Sequence, residues 1–223
     1  MTGWSGLSKV TFGRYLLNSI VLCLLTVVGN VASCSMAAYA FGRLNFSLKK
    51  VWFALMMVTI MLPHHVTIIP QYILFHKLDW IDTLGPLTLP KLLATDAFFI
   101  FLMIQFIRGL PRELDESATI DGCGPIQIYW RMILPLALPA LITTAIFTFI
   151  WTWDDFFSQL LYLNSPGKYT VPLGLRLFLD SSSQSNWGPM LAMSVVSLVP
   201  SLIIFFSLQK YFVEGISTTG IKG

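Results

Sequence analysis

Charge is the first thing this chain has little of. Lys and Arg number 14 and Asp and Glu 11 among 223 residues, so 11% of the chain is charged against 55% hydrophobic, with a mean hydropathy of +0.72. A soluble domain of that composition would hold large apolar patches against water, so the chain reads as an integral membrane protein whose solvent is the lipid bilayer. The net charge is only +3, and no Lys/Arg cluster or basic helix face stands out along the sequence, which sets nucleic-acid binding aside. Cysteine is equally sparse. Cys23 and Cys34 lie within an apolar run and Cys123 in a polar stretch, without paired spacing or a nearby histidine, so neither a disulfide framework nor a metal site is indicated. Also absent are the phosphate-cradling Gly-x-x-x-x-Gly-Lys-Ser/Thr, His-Glu-x-x-His and Gly-x-Ser-x-Gly. With no such motif an enzyme is not expected, and any chemical energy must come from another chain. The first apolar run is too long for a signal-peptide core and carries no cleavage site, so a cleavable leader is not expected.

What is present is a series of apolar runs. Between Arg14 and Arg43 lie 28 uncharged residues, more than the roughly 20 that cross a bilayer core. Within them Gly29, Ser33 and Ala37 recur every fourth residue, a small-residue stripe that lets another helix approach. The second run, Val51 to Phe75, holds Pro63, His64, His65 and Pro70, and adjacent histidines diverge on a helix, so both cannot face one metal. Packing, interfacial hydrogen bonding and a pathway role remain open for them. The third run, Leu87 to Phe106, carries Lys91 near its start and Asp96 deeper; an intramembrane carboxylate is either a functional group or a buried structural partner. The fourth extends from Ile133 to about Leu163 with Pro139 inside it, and the fifth from Pro189 to about Leu208 with Pro200 midway. Two polar stretches, His76 to Thr83 and Asn164 to Gly188 with its serines at 181, 182, 183 and 185, read as loops, the second with room for a short surface helix. The expected fold is all-α, with five transmembrane helices.

Between the third and fourth runs lies the longest charge-rich stretch, residues 111 to 135. Pro111 suits a first helical position, Glu113, Asp115 and Glu116 fall where the helix dipole favours anions, and Gly122 suits a helix end. Gly124-Pro125 restarts the chain into Met132 and the apolar run beyond. A short amphiphilic helix is thus expected on an elbow in water. Glu116-Ser117-Ala118, three residues, Gly122, nine residues and Met132-Ile-Leu134-Pro135 resemble the coupling-loop signature of ABC importer permeases, with Ser117 in place of Ala and Met132 in place of Ile. The wider stretch from Leu114 through Ile120-Asp121-Gly122 is similar to permeases of the maltose-type carbohydrate importers. So are Leu16-Leu-Asn18-Ser19, Ala37-Ala-Tyr39-Ala40, Leu62-Pro63, Leu163-Asn-Ser165-Pro166 and the Glu214-Gly215 to Lys222-Gly223 tail.

The resemblance implies a family core of six helices, the first of which is missing here, and a cytoplasmic coupling helix. It divides the chain into an extracytoplasmic N-terminal segment (1–14), a transmembrane permease domain (15–212) with its coupling loop at 109–132, and a cytoplasmic tail (213–223). With the elbow inside, Arg43, Lys49, Lys50, Arg108, Arg112, Arg131, Lys210 and Lys222 are cytoplasmic, against Lys9, Arg14, Lys77, Lys168 and Arg176 outside, a bias in the expected direction. Lys9 and Arg14 alone would favour a cytoplasmic N-terminus. In such permeases the elbow docks on a cytoplasmic ATPase. Leu114 and Ile120 would be apolar anchors, Glu116 would pair with a basic residue, Ser117, Ala118 and Gly122 would allow close approach, and Asp121 would cap the following turn. The implied partners are a second, homologous permease subunit, two ABC ATPase subunits and an extracytoplasmic solute-binding protein. This subunit would bind no cofactor, ATP and Mg being used by the ATPase. The implied solute is a sugar, oligosaccharide, polyol or sugar-phosphate-like molecule, and the implied location is a bacterial or archaeal cytoplasmic membrane.

The candidate solute pathway is Asp96, Trp151, Trp153, Asp154 and Asp155. An unbroken helix from Met132 places Asp154 about 33 Å along, near the outer edge of the hydrocarbon. Trp151 and Trp153 are then an interfacial belt; if the helix is instead tilted or kinked at Pro139, they lie deeper as flat apolar faces for sugar C–H groups, with one of the two carboxylates facing the cavity. The rival reading is an ion-coupled secondary transporter or channel in which Asp96, His64 or Asp154 carries the ion; no inverted repeat in the hydropathy supports it.

Overall fold

The computed structural model describes residues 11–181 and 187–220. Lys9, Ser182, Ser183, Ser185 and Lys222, which enter the orientation and loop readings above, lie outside these residues. A chain with few charges has to satisfy its backbone internally where lipid offers no partner, and helix is the local solution. Among the described residues every regular element is helical.

In chain order these are α1 (Phe12–Arg43), α2 (Lys49–Ile60), α3 (His64–Lys77), α4 (Gly85–Leu92), α5 (Ala97–Gly109) and α6 (Glu113–Ile120). Then α7 (Pro125–Ile128) passes through a π-helical turn (Tyr129–Ile133) into the short α8 (Leu134–Leu136). After these come α9 (Leu138–Asp154), α10 (Phe156–Tyr162), a 3-10 turn (Pro166–Lys168), α11 (Val171–Ser181) and α12 (Trp187–Gly220). Phe12–Arg43 and Gly85–Gly109 are long and apolar enough to cross a membrane, and Lys49–Ile60 with His65–Lys77 and Pro125–Leu136 with Leu138–Asp154 qualify as bent pairs. The fifth apolar run corresponds to Leu191–Ser207, a shorter apolar stretch of α12.

All five runs are therefore helical, but three are interrupted where continuous helices were expected. The second breaks at 61–63, where Pro63 lacks an N–H and disfavours helical backbone before it. The third breaks at 93–96, where Ala94 takes φ 54. The carbonyl of Lys91, freed by that break, accepts a hydrogen bond from Ser33 Oγ at 2.7 Å. The fourth bends by 74° between Leu136 and Leu138. Pro139 is not the kink, since it sits in the first turn of α9, where a missing N–H costs nothing. That helix also ends at Asp154 and restarts at Phe156 because Asp155 caps α10, its Oδ1 accepting from the Ser158 N–H at 3.0 Å. At the other end, α12 continues through Gly220 instead of giving way to an irregular tail; no proline follows Pro200 to stop it.

The chain forms two compact units. One comprises the described residues up to Val27, His64–Pro90 and Phe147–Ser207. Its core is Tyr15, Cys23, Phe149, Trp153 and Val171, flanked by Phe12, Leu16, Leu175 and Ile204. Close approach is enforced at Gly174, where a Cβ would lie 2.4 Å from the Tyr15 ring. The other comprises Val28–Pro63, Lys91–Ile146 and the described residues from 208 onward. Here Phe99, Met103, Ile104 and Ile107 of α5 are fully buried. Gly29, from the predicted small-residue stripe, admits Leu92 so closely that a Cβ would sit 2.7 Å from it.

The turn before α4 is locked by Asp82. Its Oδ1 accepts from the backbone N–H of Asn164 and of Ser165, both at 2.9 Å, and its Oδ2 accepts from Ser165 Oγ at 2.6 Å and Lys168 Nζ at 2.8 Å. Partial burial alone would raise the carboxyl pKa; the Lys168 and Ser165 side chains and the two backbone N–H groups outweigh it and hold the group well below the usual carboxylate range. Because the folded pKa is depressed, the stabilisation is complete above the unfolded value near pH 4 and is lost as pH falls below it. Asp82→Asn should lower stability at pH 7 by about 1–3 kcal/mol. Thermal unfolding in detergent is expected to show a lower Tm for the variant at pH 7, and the difference should narrow below about pH 4.

Candidate functional site

The 111–135 stretch folds as an elbow whose helix starts two residues later than Pro111 suggested, at Glu113, with Glu113, Asp115 and Glu116 in its first turn. Its end is built by Gly122 at φ 81, a left-handed conformation that side chains resist and glycine accepts. The Gly122 N–H reaches the carbonyl of Thr119 at 3.0 Å and the Cys123 N–H that of Ala118 at 2.9 Å, closing the last turn. The next helix is capped by Gln127, whose Oε1 accepts from the Gly124 N–H at 3.0 Å, so the capping role expected of Asp121 falls to Gln127.

The coupling residues divide by exposure. Ala118 is 4% exposed, so its small size serves packing within the unit, and Leu114 is half-buried. Glu116, Ser117, Asp121 and Gly122 are exposed, as is Ile120 at 86%. An isoleucine standing almost free in water is costly unless something covers it. Ile126, which the sequence reading passed over, is exposed at 75%. Asp115, Glu116, Thr119 and Ile120 together line a shallow surface hollow.

What braces the elbow is the end of α1. The side chain of Arg43 is 5% exposed; its Nη1 pairs with Asp115 Oδ2 at 3.1 Å and its Nη2 donates to the carbonyl of Leu110 at 2.9 Å. One turn earlier, Tyr39 Oη donates to the carbonyl of Pro125 at 3.0 Å, and its ring lies 5.3 Å from that of Tyr129. Tyr129 Oη shares a hydrogen bond of 2.8 Å with Ser35 Oγ. From the sequence, Arg43 enters only as a cytoplasmic charge and Tyr39 only within a family resemblance, and Ser35 and Tyr129 are not singled out. The available signal was their spacing, since Ser35, Tyr39 and Arg43 recur every fourth residue on one helix face.

Of the solute-pathway candidates, Asp96 belongs to one unit and Trp151, Trp153, Asp154 and Asp155 to the other. Asp96 pairs with Lys91 at 2.5 Å across the break before α5, which makes it a compensated charge. Trp153 is 3% exposed, stacks on Phe149 at 5.5 Å and donates its indole N–H to the carbonyl of Ser197 at 3.1 Å, so it is a core residue here and not part of a belt. Asp155 is the α10 cap described above. Trp151 and Asp154 are exposed, at the end of a helix that rises only about 24 Å from Leu138, because the bend removes the preceding turns.

These features define a helical membrane protein that presents one short helix, α6, on a braced elbow. The family described as binding-protein-dependent transport system inner membrane component matches residues 29–218, and the chain belongs to it. It is 33% identical over 219 residues to the arabinooligosaccharides transport system permease protein AraQ of Halalkalibacterium halodurans, covering 98% of this chain and 76% of that one. To the trehalose/maltose transport system permease protein MalG of Thermococcus litoralis it is 32% identical over 212 residues, 95% of this chain and 76% of that one. To the sn-glycerol-3-phosphate transport system permease protein UgpE of Yersinia pestis the identity is again 32% over 212 residues, 95% and 75%. Among solved structures, a bacterial ABC transporter involved in import of the acidic polysaccharide alginate superposes with TM-score 0.80 at 23% identity, covering 92% of this chain and 77% of that one, a likeness of fold. The chain is thus an ABC importer permease subunit, a membrane transport component and not an enzyme, that works with ATPase and solute-binding partners.

The brace has a direct test. Arg43→Met leaves the Asp115 carboxylate without its cation, and removing one partner of a buried pair costs about 3–5 kcal/mol. Limited proteolysis of the purified protein should then cut within residues 109–124 more than about tenfold faster than in the wild type. Glu116→Gln, on the exposed side of the same helix, should leave the cutting rate unchanged.

Proposed function

We propose that this permease imports a sugar, oligosaccharide, polyol or sugar-phosphate-like solute, and that the 111–135 elbow is where ATPase closure drives its helices between inward- and outward-open states. The observation that carries the reading is Ile120, exposed beside Glu116 on a helix braced by Arg43. An apolar anchor and an acidic neighbour on a rigid mount suit a partner cleft that bears a cation, and a mount fixed to α1 lets a push on α6 reach a membrane helix. The solute class is supported by the relatives, whose names specify arabino-oligosaccharides, trehalose or maltose, and sn-glycerol-3-phosphate. The assembly comprises a second, homologous permease subunit, two ATPase subunits that use ATP and Mg, and an extracytoplasmic binding protein, in the cytoplasmic membrane of a bacterium or archaeon with the elbow inside. For the solute itself Trp151 and Asp154 remain as contacts, while Asp96, Trp153 and Asp155 serve mainly the permease's own architecture. The ion-coupled alternative is disfavoured because Asp96 is already paired with Lys91.

Burying one isoleucine side chain stabilises a contact by about 1.5–3 kcal/mol, so Ile120→Asp should weaken ATPase binding roughly 10- to 100-fold. Glu116→Lys should weaken it further by reversing a contact charge. In vesicles carrying the assembled importer, uptake of a maltose-class sugar should fall with both variants, cease on ATP depletion and persist with an uncoupler. Wild-type uptake in both variants would remove the elbow from the ATPase contact, and abolition by the uncoupler alone would restore the ion-coupled reading.

A further inference from the structure

Where α2 begins and α5 ends, three cations meet. Lys49 lies within electrostatic reach of both Arg108 and Arg112. The Arg108 guanidinium sits 5.6 Å above the ring of Phe53, one turn along α2 from Lys49. The ion pairs of Arg43 with Asp115, Lys91 with Asp96 and Lys168 with Asp82 use none of these three, and of the acids in the first turn of α6, Asp115 is committed to Arg43 while Glu113 and Glu116 are exposed to water. Lys49 itself donates to the carbonyl of Leu44 at 2.6 Å, which fixes its ammonium at this end of the helix. Like charges held close together repel, and an anion from outside relieves that repulsion.

The Phe53 ring under Arg108 lies 6.1 Å from that of Phe41, and Phe41 lines an apolar groove of about 430 Å³ that follows α2, together with Trp52, Leu55, Met56, Ala97 and Ile100. Trp52 and Leu55 are exposed along it. Thr59, the lining residue farthest along α2, lies ten residues beyond Lys49, about 15 Å of helix rise. That length matches much of one leaflet's acyl chain, the hydrocarbon core being about 30 Å thick in all. Cations at one end and an apolar channel running away from them match a molecule with an anionic head and a hydrocarbon tail.

We propose that this face of the permease is a binding site for an anionic phospholipid. The phosphate sits among Lys49, Arg108 and Arg112, and one acyl chain lies in the groove against Trp52 and Leu55. A basic patch at the ends of membrane helices, beside the elbow, is a suitable environment for such a headgroup. Arg112 stands at the start of α6, but Glu116 and Ile120 are not part of the site, and it does not depend on which solute is carried.

Trp52 is a built-in reporter. The assembled importer is placed in nanodiscs of phosphatidylcholine that contain equal mole fractions of dibrominated phosphatidylglycerol or dibrominated phosphatidylcholine, and tryptophan quenching is measured for the wild type and for Trp52→Phe. The difference between the two proteins isolates Trp52. It is expected to be quenched about fivefold more effectively by the brominated phosphatidylglycerol, as one charge contact's worth of preference allows. Excess inorganic phosphate should leave that preference intact, because the tail is part of the binding. Lys49→Gln and Arg108→Gln should each reduce it. Equal quenching by both lipids in the wild type overturns the proposal, and so does loss of the preference on adding inorganic phosphate, which would mark a site for free anions. An undiminished preference in folded Lys49→Gln and Arg108→Gln proteins would equally overturn it. Should either variant fail to assemble, the wild-type comparison and the phosphate arm decide the matter without it.

Discussion

A guanidinium buried at the end of a membrane helix is the constraint on which this permease's elbow depends. Arg43 cannot lose its charge, so whatever surrounds it must supply acceptors. Asp115 and the Leu110 carbonyl do so, and both lie in the loop, which obliges the first turn of α6 and the residues before it to stay against α1. The hydrogen bond from Tyr39 to Pro125 holds the other end of the elbow to the same helix. With both ends held, the middle is left free to present Glu116, Ile120 and the Gly122 turn to water. Few residues are needed, because a peptide tethered at two places has little freedom left to lose when a partner arrives.

The same need to satisfy polar groups in an apolar setting explains the interruptions in the long runs. Each break frees backbone carbonyls or N–H groups, and at two of them a side chain takes one up: Ser33 at the Lys91 carbonyl, Asp155 at the Ser158 N–H. Within α9, Thr143 donates to the carbonyl of Pro139, one turn back in the same helix, at 2.8 Å. The small polar residues scattered through α1 and α9 are thus largely hydrogen-bonding partners for backbone and for one another.

Much of this was legible beforehand. Uninterrupted apolar runs announce helices because lipid permits little else, and the elbow's helix, its acidic first turn and its glycine end could be located from residue types alone. Breaks without a proline at their centre could not. Ala94 and Asp82 adopt positive φ although neither is glycine, and nothing local marks them. Asp82 is bound to residues more than 80 positions away, a pairing that only the folded chain creates. Trp153 reads as belt or as core equally well by composition; its stacking on Phe149 and its bond to Ser197 decide the matter, and those partners belong to other turns and other helices. Ala118 and Ser117 are neighbours in the motif, yet one faces inward and one outward, because adjacent helical positions diverge by about 100°.

The π-helical turn at Tyr129–Ile133 closes with the Leu134 N–H bonded to the carbonyl of Tyr129, five residues back instead of four. One residue is thereby accommodated without lengthening the helix by a full α-helical step. A chain with one residue fewer between Gly122 and Leu134-Pro135 would close an ordinary α-turn there, and every side chain upstream would rotate by about 100° relative to α9. Tyr129 would swing away from Ser35 and Tyr39, and the elbow would point elsewhere. The nine residues after Gly122 therefore set an angle as much as a length, and insertions or deletions in this short stretch should be far less tolerable than substitutions.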